Sequence, residues 1–191
     1  MPGIRDYPEL LKNAAGHFRT ITRHRWLVCV GCFHIGLYWQ GLTHDLSKYA
    51  PTEFSAGIKY YTGERSPNDL QRREAGYSAA WLHHKGRNRH HFEYWNDYTL
   101  DGSRKHPVRP VPMPKRYVAE MFCDRVAASK VYHKDAYTDR SPLEYYERGR
   151  SKVLMHPDTD RLLHKMLMVL AEKGEKTAYR YIRVKVLGKK R

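Results

Sequence analysis

Apolar residues near the N-terminus recur at helical spacing. Between residues 8 and 35 they return every three or four positions and predict one long helix with a buried stripe. The stripe comprises Leu10, Leu11, Ala14, Phe18, Ile21, His24, Leu27, Val28 and Cys32. Gly36 allows the chain to turn back. We therefore expect a second helix over residues 40–49 to lie antiparallel to the first, with His44 close to His24.

Helical periods account for most of the remaining chain. Pro51 ends the second helix and begins a third, because proline is favoured in the first turn of a helix. Further helices are predicted over residues 69–85, 115–132, 141–154, 157–171 and 175–186. Residues 96–114 carry turn chemistry instead, with a hairpin signal at Asp101-Gly102 and several later prolines. That segment is predicted to form a short two-stranded ribbon or an ordered loop over the functional site.

These elements predict an all-α fold, a compact multi-helix bundle with a short irregular or hairpin segment near 96–114. A chain of 191 residues suits a single domain over 1–191. The most apolar run, residues 26–39, is too short to cross a bilayer and is predicted to be a buried helix. The N-terminus lacks a signal-peptide pattern, and the cysteines lie in apolar helical surroundings as free thiols. We expect a cytoplasmic protein with no membrane partner.

The chain is strongly basic. Its formal charge is +15, and a basic C-terminal helix and tail, residues 174–191, carry much of it. A basic surface attracts polyanions, of which nucleic acid is the commonest in a cell. Charge alone is equally typical of a soluble surface with no specific partner, so it does not identify one.

The strongest chemical signal is the run Thr43-His44-Asp45-Leu46-Ser47-Lys48. Within a helical pattern, an imidazole nitrogen of His44 and a carboxylate oxygen of Asp45 can converge on one metal ion that sits against the helix. Lys48 follows one turn later, where its ammonium group could meet a phosphate held by that metal. Two ligands do not complete a site, so others must come from elsewhere in the chain.

Two histidine doublets supply the next candidates, His83-His84 and His90-His91. We expect one histidine of each doublet to bind metal, with His84 and His91 preferred and His83 and His90 as alternates. The second histidine of a doublet, Glu93 or Asn88 would orient ligands or handle protons. The competing interpretation is a pH-sensitive surface cluster, or an RNA-contacting patch with aromatic side chains for stacking.

A further candidate ligand is Asp124, which lies inside the helix predicted over 115–132. An unpaired buried carboxylate is costly, so Asp124 needs a partner. A metal ion would be one, and Arg87, Arg125 or Lys130 would be the alternative.

The ordered set of His24, His44-Asp45, the later histidines and Asp124 resembles the HD superfamily of metal-dependent phosphohydrolases over roughly residues 20 to 130. A closer resemblance is to an uncharacterised bacterial and phage-associated family, a domain of unknown function. The motifs that carry it are HDLSK, WLHHKGRNRHHFEYW and EMFCDRVAASK. This closer family brings no known activity with it.

The HD resemblance implies an HD-like helical domain and a phosphohydrolase that acts on a nucleotide or another phosphoester. By that resemblance one divalent ion would be held by His24, His44, Asp45 and Asp124, and His84 with His91 would complete a second site. Mixed nitrogen and oxygen ligands suit Mn, Fe, Co, Ni or Zn. Lys48, Arg87 and Arg89 would neutralise the substrate phosphate.

Two other functions compete with this one. The first is a non-catalytic nucleic-acid-binding helical protein that uses its basic, histidine-rich and aromatic surface, and it predicts salt-dependent binding that survives metal removal. The second is a helical protein with a purely structural metal, which would unfold on chelation. An oxygen-activating di-iron protein is less well supported, because the expected Glu-x-x-His pairs are absent from the sequence.

Overall fold

The computed structural model of the protein describes residues 7–100 and 107–190. Most of these residues are helical, which confirms the predicted all-α class. The α-helices are α1 (Tyr7–His34), α2 (Tyr38–Thr43), α3 (Pro51–Lys59), α4 (Pro67–Ala75), α5 (Ala79–Arg87), α6 (Lys115–His133), α7 (Ser141–Arg150) and α8 (Pro157–Tyr181). Short 3-10 turns cover Leu46–Tyr49, Phe92–Tyr94 and Lys134–Ala136, and a π-helical turn, Ile182–Val186, continues α8.

The apolar core lies where α6 packs against α1, α7 and α8. Val118 and Phe122 of α6 are fully buried, as are Leu163, Leu167 and Leu170 of α8. These residues recur at helical spacing, so each helix turns one continuous apolar stripe towards the other. Burial of this stripe anchors α6, and α6 in turn carries part of the candidate site on its other face.

Helices α1 and α6 approach each other closely at Gly31. A β-carbon at this position would lie 3.2 Å from the Cys123 sulfur, which is tighter than ordinary packing. Glycine therefore lets the two helix backbones come together. The same close approach places His24 of α1 opposite Asp124 of α6, with 3.0 Å between His24 Nε2 and Asp124 Oδ1.

The predicted helix over residues 40–49 is wrong in one respect, because it breaks at its centre. α2 ends at Thr43, and Asp45 takes a left-handed backbone conformation with φ of 52° and ψ of 28° before a 3-10 turn begins at Leu46. Aspartate tolerates this region better than most residues, yet it is uncommon for any residue other than glycine. The His-Asp pair therefore lies in a turn rather than on a helical face.

The predicted helix over residues 69–85 is also wrong, since the structure has two helices there. Gly76 ends α4 with a φ of 78°, and Ser78 begins α5 by accepting a hydrogen bond from the Trp81 amide. α5 continues through Gly86, where we had expected an end. The break predicted between the helices over 157–171 and 175–186 is a kink inside α8 at Gly174, with a φ of 77°.

The segment near 96–114 contains the predicted ribbon. Strands β1 (Asn96–Tyr98) and β2 (Val108–Pro110) pair antiparallel, with Asp97 opposite Arg109. The expected Asp101-Gly102 turn lies outside the described residues. No helix among those the structure describes is long and apolar enough to cross a membrane.

Candidate metal centre

Histidines and aspartates from five parts of the chain meet beside α6. They come from α1, from the turn after α2, from α5, from the segment after α5, and from α6 itself. Their donor atoms form two groups, each with all its atoms within 4.8 Å of one another, and a third such group joins His44 and His90 to Glu120. The first group is His24, His44, Asp45 and Asp124, and the second is Asp45, His84, His90 and His91.

The first group joins α1, α6 and the turn after α2. His44 Nε2 lies 3.3 Å from Asp45 Oδ2 and 3.8 Å from Asp124 Oδ1. His24 Nε2 lies 3.7 Å from Asp45 Oδ2. Two imidazole nitrogens and two carboxylate oxygens therefore surround one point, as the ligands of a four-coordinate metal do.

The second group uses the other oxygen of Asp45. Asp45 Oδ1 lies 3.2 Å from His84 Nε2 and 3.4 Å from His90 Nε2. His91 completes the group, and its ring centroid lies 4.1 Å from that of His90. Because Oδ2 faces the first group and Oδ1 the second, a single carboxylate lies between the two.

Seven inward-facing atoms of the two groups are buried and make no hydrogen bond of good geometry to a described residue, although Asp45 Oδ2 also lies 3.0 Å from the Lys48 ammonium. They are both carboxylate oxygens of Asp45 and the Nε2 atoms of His24, His44, His84, His90 and His91. A buried polar atom that lacks a partner costs about 1–3 kcal/mol, so proteins rarely collect several at one place. Imidazole and carboxylate donors that lack hydrogen bonds fit a metal cation in each group, which would bind the donors of that group together.

Carboxylates hold the outer nitrogens of three of these histidines, His44, His84 and His90. Glu120 Oε1 lies 2.9 Å from His44 Nδ1 and 3.2 Å from His90 Nδ1, and Gln40 donates to its other oxygen. Burial favours the neutral acid, but hydrogen bonds from His44 and His90 lower the pKa of Glu120 to about 2. An ionised Glu120 fixes the proton on each Nδ1 and leaves Nε2 free to bind metal.

Glu53 holds the α5 doublet in the same way. Its two oxygens lie 2.6 Å from His83 Nδ1 and 2.8 Å from His84 Nδ1. Asn88 also donates to the His84 carbonyl and to Ser47 Oγ, which ties α5 to the turn after Asp45. His84 thus turns its Nε2 to the centre, whereas His83 contacts Glu53 and belongs to neither group.

The pKa values of these side chains suit a cation site. Burial lowers the pKa of His91 well below its usual range, with help from His90 and His84, and so favours the neutral form that binds metal. For Asp45, burial opposes ionisation, but His44, Lys48 and His84 hold the pKa well below its usual range. His44 shows the opposite shift, because Asp45 raises its pKa despite burial. A bound cation would displace that proton.

Lys48 lies at the edge of the centre, with Nζ 3.0 Å from Asp45 Oδ2. Burial disfavours its charge, but Asp45 and Asp124 raise its pKa, so it stays protonated. The lysine faces a cavity of about 1030 Å³ that also reaches His24, His91 and Asp124. Basic side chains line this cavity, among them Arg65, Arg72, Arg125, Arg148 and Lys152.

A family model matches residues 13–169, and it describes a family of unknown function, DUF5662. The chain belongs to this family. No curated protein and no solved structure matches the chain. The closer of the two sequence resemblances, to an uncharacterised family, is therefore confirmed, and the matched residues contain all members of both metal-ligand groups.

The remaining residues predicted from the sequence lie in the cavity wall, on the exposed surface or in the second group. Glu93 lines the cavity, and its role in orienting ligands or handling protons stays a prediction. Arg87 is exposed at the end of α5, donates to the His83 carbonyl, and is not among the residues that line the cavity. His90, which the sequence ranked below His91, joins it in the second group.

Sequence reasoning missed two carboxylates and most of the cavity arginines. Glu120 lies four residues before Asp124, on the same helical face, and that spacing was available from the sequence. Glu53 gave no such signal, since an acid in the first turn of a helix is common for reasons of the helix dipole. Arg72 and Arg125 reach the cavity through tertiary packing that no local pattern reveals.

Proposed function

We propose that the protein is a metal-dependent phosphohydrolase of the HD type that uses two divalent ions. The observation that carries the proposal is the carboxylate of Asp45, whose two oxygens face two different groups of buried donors. A shared carboxylate is how proteins hold two ions close enough to act on one phosphoryl group. The order of these residues along the chain also agrees with the HD resemblance.

The donor set suits Mn, Fe, Co, Ni or Zn, because it mixes five imidazoles with two carboxylates. Two such ions would supply an acidified water and charge stabilisation for the oxygens around phosphorus. Glu53 and Glu120 fix the imidazoles in the tautomer that a metal requires. Lys48 would bind a phosphate oxygen, since its ammonium lies beside Asp45 and faces the cavity.

The cavity supports a phosphorylated small molecule or a nucleotide as substrate. Its volume of about 1030 Å³ is large enough for a nucleotide, and its arginines and lysines favour an anion. Aromatic side chains, among them Trp81, Phe92 and Tyr146, offer faces for a planar group. A substrate in this cavity would have its phosphate beside Lys48 and within reach of the water that the metal ions activate.

The nucleic-acid-binding alternative receives less support from the same residues. It needs exposed histidines for contact with RNA or DNA, whereas His84 and His90 are each only 2% exposed. The basic surface could still attract nucleic acid, as could the C-terminal segment. That function predicts binding that weakens steeply with salt and persists after chelation.

The doublet at His83-His84 offers a matched test. We expect His84→Gln to lose one of two bound ions and most activity towards p-nitrophenyl phosphate, because it removes an inward-facing donor. His83→Gln should keep both ions, since His83 contacts only the outer carboxylate of Glu53 among the carboxylates described. Elemental analysis and a phosphatase assay on both variants measure this. Equal metal content in the two variants would contradict the proposed site.

A further inference from the structure

Helix α1 is apolar on two sides along its C-terminal half. Its inner side carries Val28, which is fully buried in the core. Its outer side carries Trp26, Val30 and Phe33, all of which are exposed, Trp26 to 67%. The sequence predicted a buried helix over residues 26–39, and that prediction is wrong for the outer side. A helix that is apolar all round usually has apolar surroundings on every side, so the outer side of α1 lacks a partner that its composition suits.

Helix α2 widens this exposed apolar surface. Its outer residues Tyr38, Trp39 and Leu42 are each more than half exposed, Trp39 to 76%. Gly41 faces the other way, and a β-carbon there would lie 3.0 Å from Cys32 Cβ. Glycine therefore lets α2 pack directly on α1, so the outer sides of the two helices form one surface.

Contacts at both ends of α2 join its exposed residues to those of α1. At the turn between the helices the ring centroids of Phe33 and Tyr38 lie 5.1 Å apart. At the other end Arg25, which precedes Trp26, donates to the Leu42 carbonyl oxygen, with 3.2 Å between Nη2 and the oxygen. The exposed apolar side chains are therefore neighbours rather than scattered residues. We call them the outer patch, and they are Trp26, Val30, Phe33, Tyr38, Trp39 and Leu42.

Cations lie along the edge of the outer patch on α1 and α6. Arg19 and Arg23 continue the exposed row of α1, two turns and one turn before Trp26. Arg116 is exposed at the start of α6, and its carbonyl oxygen accepts a hydrogen bond from α2. The sequence has no acidic residue between positions 10 and 44, so no carboxylate of α1 after its first turn, or of α2, offsets these charges.

The basic C-terminal segment adds cations at the turn between α1 and α2. Arg183 Nη1 donates to the His34 carbonyl oxygen at 3.4 Å, and Lys189 donates to that of Gly36. These contacts hold the segment against the turn. Residues 176–191 contain seven lysines and arginines and no acidic residue. The outer patch therefore lies between two groups of cations.

We propose that the outer patch docks on the surface of a membrane that contains anionic lipid. Exposed Trp, Tyr and Phe side chains insert at the boundary between lipid headgroups and acyl chains, and nearby arginines and lysines bind the lipid phosphates. The proposal departs from our expectation that the protein has no membrane partner, because the sequence did not show that the outer side of α1 is uncovered. It does not depend on the proposed phosphohydrolase function.

Two other occupants fit the outer patch less well. In a symmetric dimer a second copy of the chain would place the same arginines against their own copies, and like charges repel. Single-stranded RNA stacks its bases on aromatic rings along a basic groove. Val30 and Leu42 provide no ring for stacking, and they suit acyl chains instead.

Flotation of the full chain with lipid vesicles tests the proposal. Vesicles of equal parts phosphatidylglycerol and phosphatidylcholine should bind the protein at least about tenfold more tightly than vesicles of phosphatidylcholine alone, since each basic residue near an anionic surface adds to the affinity. Tryptophan fluorescence should shift to shorter wavelengths on binding, because Trp26 and Trp39 would leave water.

A double tryptophan variant separates the outer patch from the general basic charge. Trp26→Ser/Trp39→Ser should weaken binding to the anionic vesicles at least about tenfold, because it removes the largest inserted side chains. Its helix content and metal content should equal those of the wild type. Tyr77→Ser is the matched control, because Tyr77 is 60% exposed but lies between α4 and α5, outside the outer patch. It should bind vesicles as the wild type does.

A double arginine variant tests the rim of cations independently. Arg19→Gln/Arg23→Gln should weaken binding to the anionic vesicles and make it less sensitive to salt, because two exposed charges near the lipid phosphates are lost. Binding to phosphatidylcholine vesicles should stay as weak as in the wild type. If the tryptophan variant failed to fold, unchanged binding of the arginine variant would still overturn the proposal.

Four results would overturn the proposal. The first is failure to bind either kind of vesicle, and the second is equal binding of the wild type and a folded Trp26→Ser/Trp39→Ser variant, since basic charge alone would then explain the binding. The third is a dimer in analytical ultracentrifugation that the tryptophan variant dissociates, which would assign the outer patch to a second copy of the chain. The fourth is a fluorescence shift with single-stranded RNA and none with vesicles.

Discussion

Helix α6 has two different faces: an apolar face that packs into the core and a polar face that belongs to the candidate metal centre. On one face Val118 and Phe122 are fully buried among apolar side chains. On the other, Glu120 and Asp124 face buried histidines whose inner nitrogens form no hydrogen bonds within the described structure. The core face stabilises the fold through apolar burial, whereas the other face collects buried polar groups that are costly when they lack a partner. The apolar side of the helix thus stabilises the fold, and the candidate metal centre lies on the other side.

The largest expected effect is on the core. Leu170 is fully buried, so Leu170→Ala should reduce the free energy of unfolding by about 2–5 kcal/mol, whether or not metal is bound. The matched control is Leu100→Ala, because Leu100 is 100% exposed and its loss should change stability by less than about 0.5 kcal/mol. Chemical denaturation measures both. Similar losses in the two variants would contradict the assignment of the core.

Metal removal should lower the stability of the protein only through the candidate metal centre. A ligand at about 100 times its dissociation constant stabilises a folded protein by about 2.7 kcal/mol, so chelation should lower the melting temperature of the wild type. In Asp45→Asn the same treatment should have almost no effect, because the shared carboxylate is gone. Calorimetric melting with and without chelator measures the difference. An equal shift in both proteins would contradict a role for Asp45 in binding.

A smaller effect is expected where α3 packs on α1. A β-carbon at Gly57 would overlap the imidazole ring of His17, so Gly57→Ala should cost about 1–3 kcal/mol of stability. The double variant Gly57→Ala/His17→Ala makes room for the methyl group and should recover part of the loss. Because α3 also carries Glu53, metal affinity should fall in the single variant. Thermal melting tests this, and an unaltered melting temperature in the single variant would contradict the packing.

A further effect concerns the pH dependence of stability. Burial, with a contribution from Lys48, lowers the pKa of His17 from 6.5 to about 4, so the folded protein holds this ring neutral while the unfolded chain protonates it. Between these values the unfolded state binds more protons, and stability is lost as the pH falls from about 6.5 towards 4. His17→Gln should flatten that dependence in metal-free protein. Denaturation at several pH values checks this, and an unchanged slope would contradict it.

The sequence predicted the helices well where apolar periods were long. α1 and α6 agree with their predicted bounds within a few residues, because each buries a continuous stripe. Breaks were harder to predict. The turn at Asp45 depends on a left-handed backbone that a non-glycine residue adopts only in a specific tertiary setting, and the division between α4 and α5 depends on a local serine cap.

The candidate site was predictable in its composition and not in its geometry. His24, His44, Asp45 and Asp124 were chosen from their order along the chain, and the structure brings them together. The sequence could not show which histidine of a doublet is a ligand. His83 and His84 differ only in the direction in which their side chains point from α5, and contacts with Glu53 and the packing of α3 on α5 decide that direction. The cavity arginines come from distant segments, so no local pattern could identify them.

The most direct test of the account is the metal content of protein purified without chelator or affinity metal, in the wild type and in Asp45→Ala. We predict about two equivalents of Mn, Fe, Co, Ni or Zn in the wild type, and loss of both in the variant, because Asp45 faces both groups. Circular dichroism should show that the variant keeps its helices. Full metal occupancy in folded Asp45→Ala, or folded wild type that takes up no metal on addition, would contradict the account.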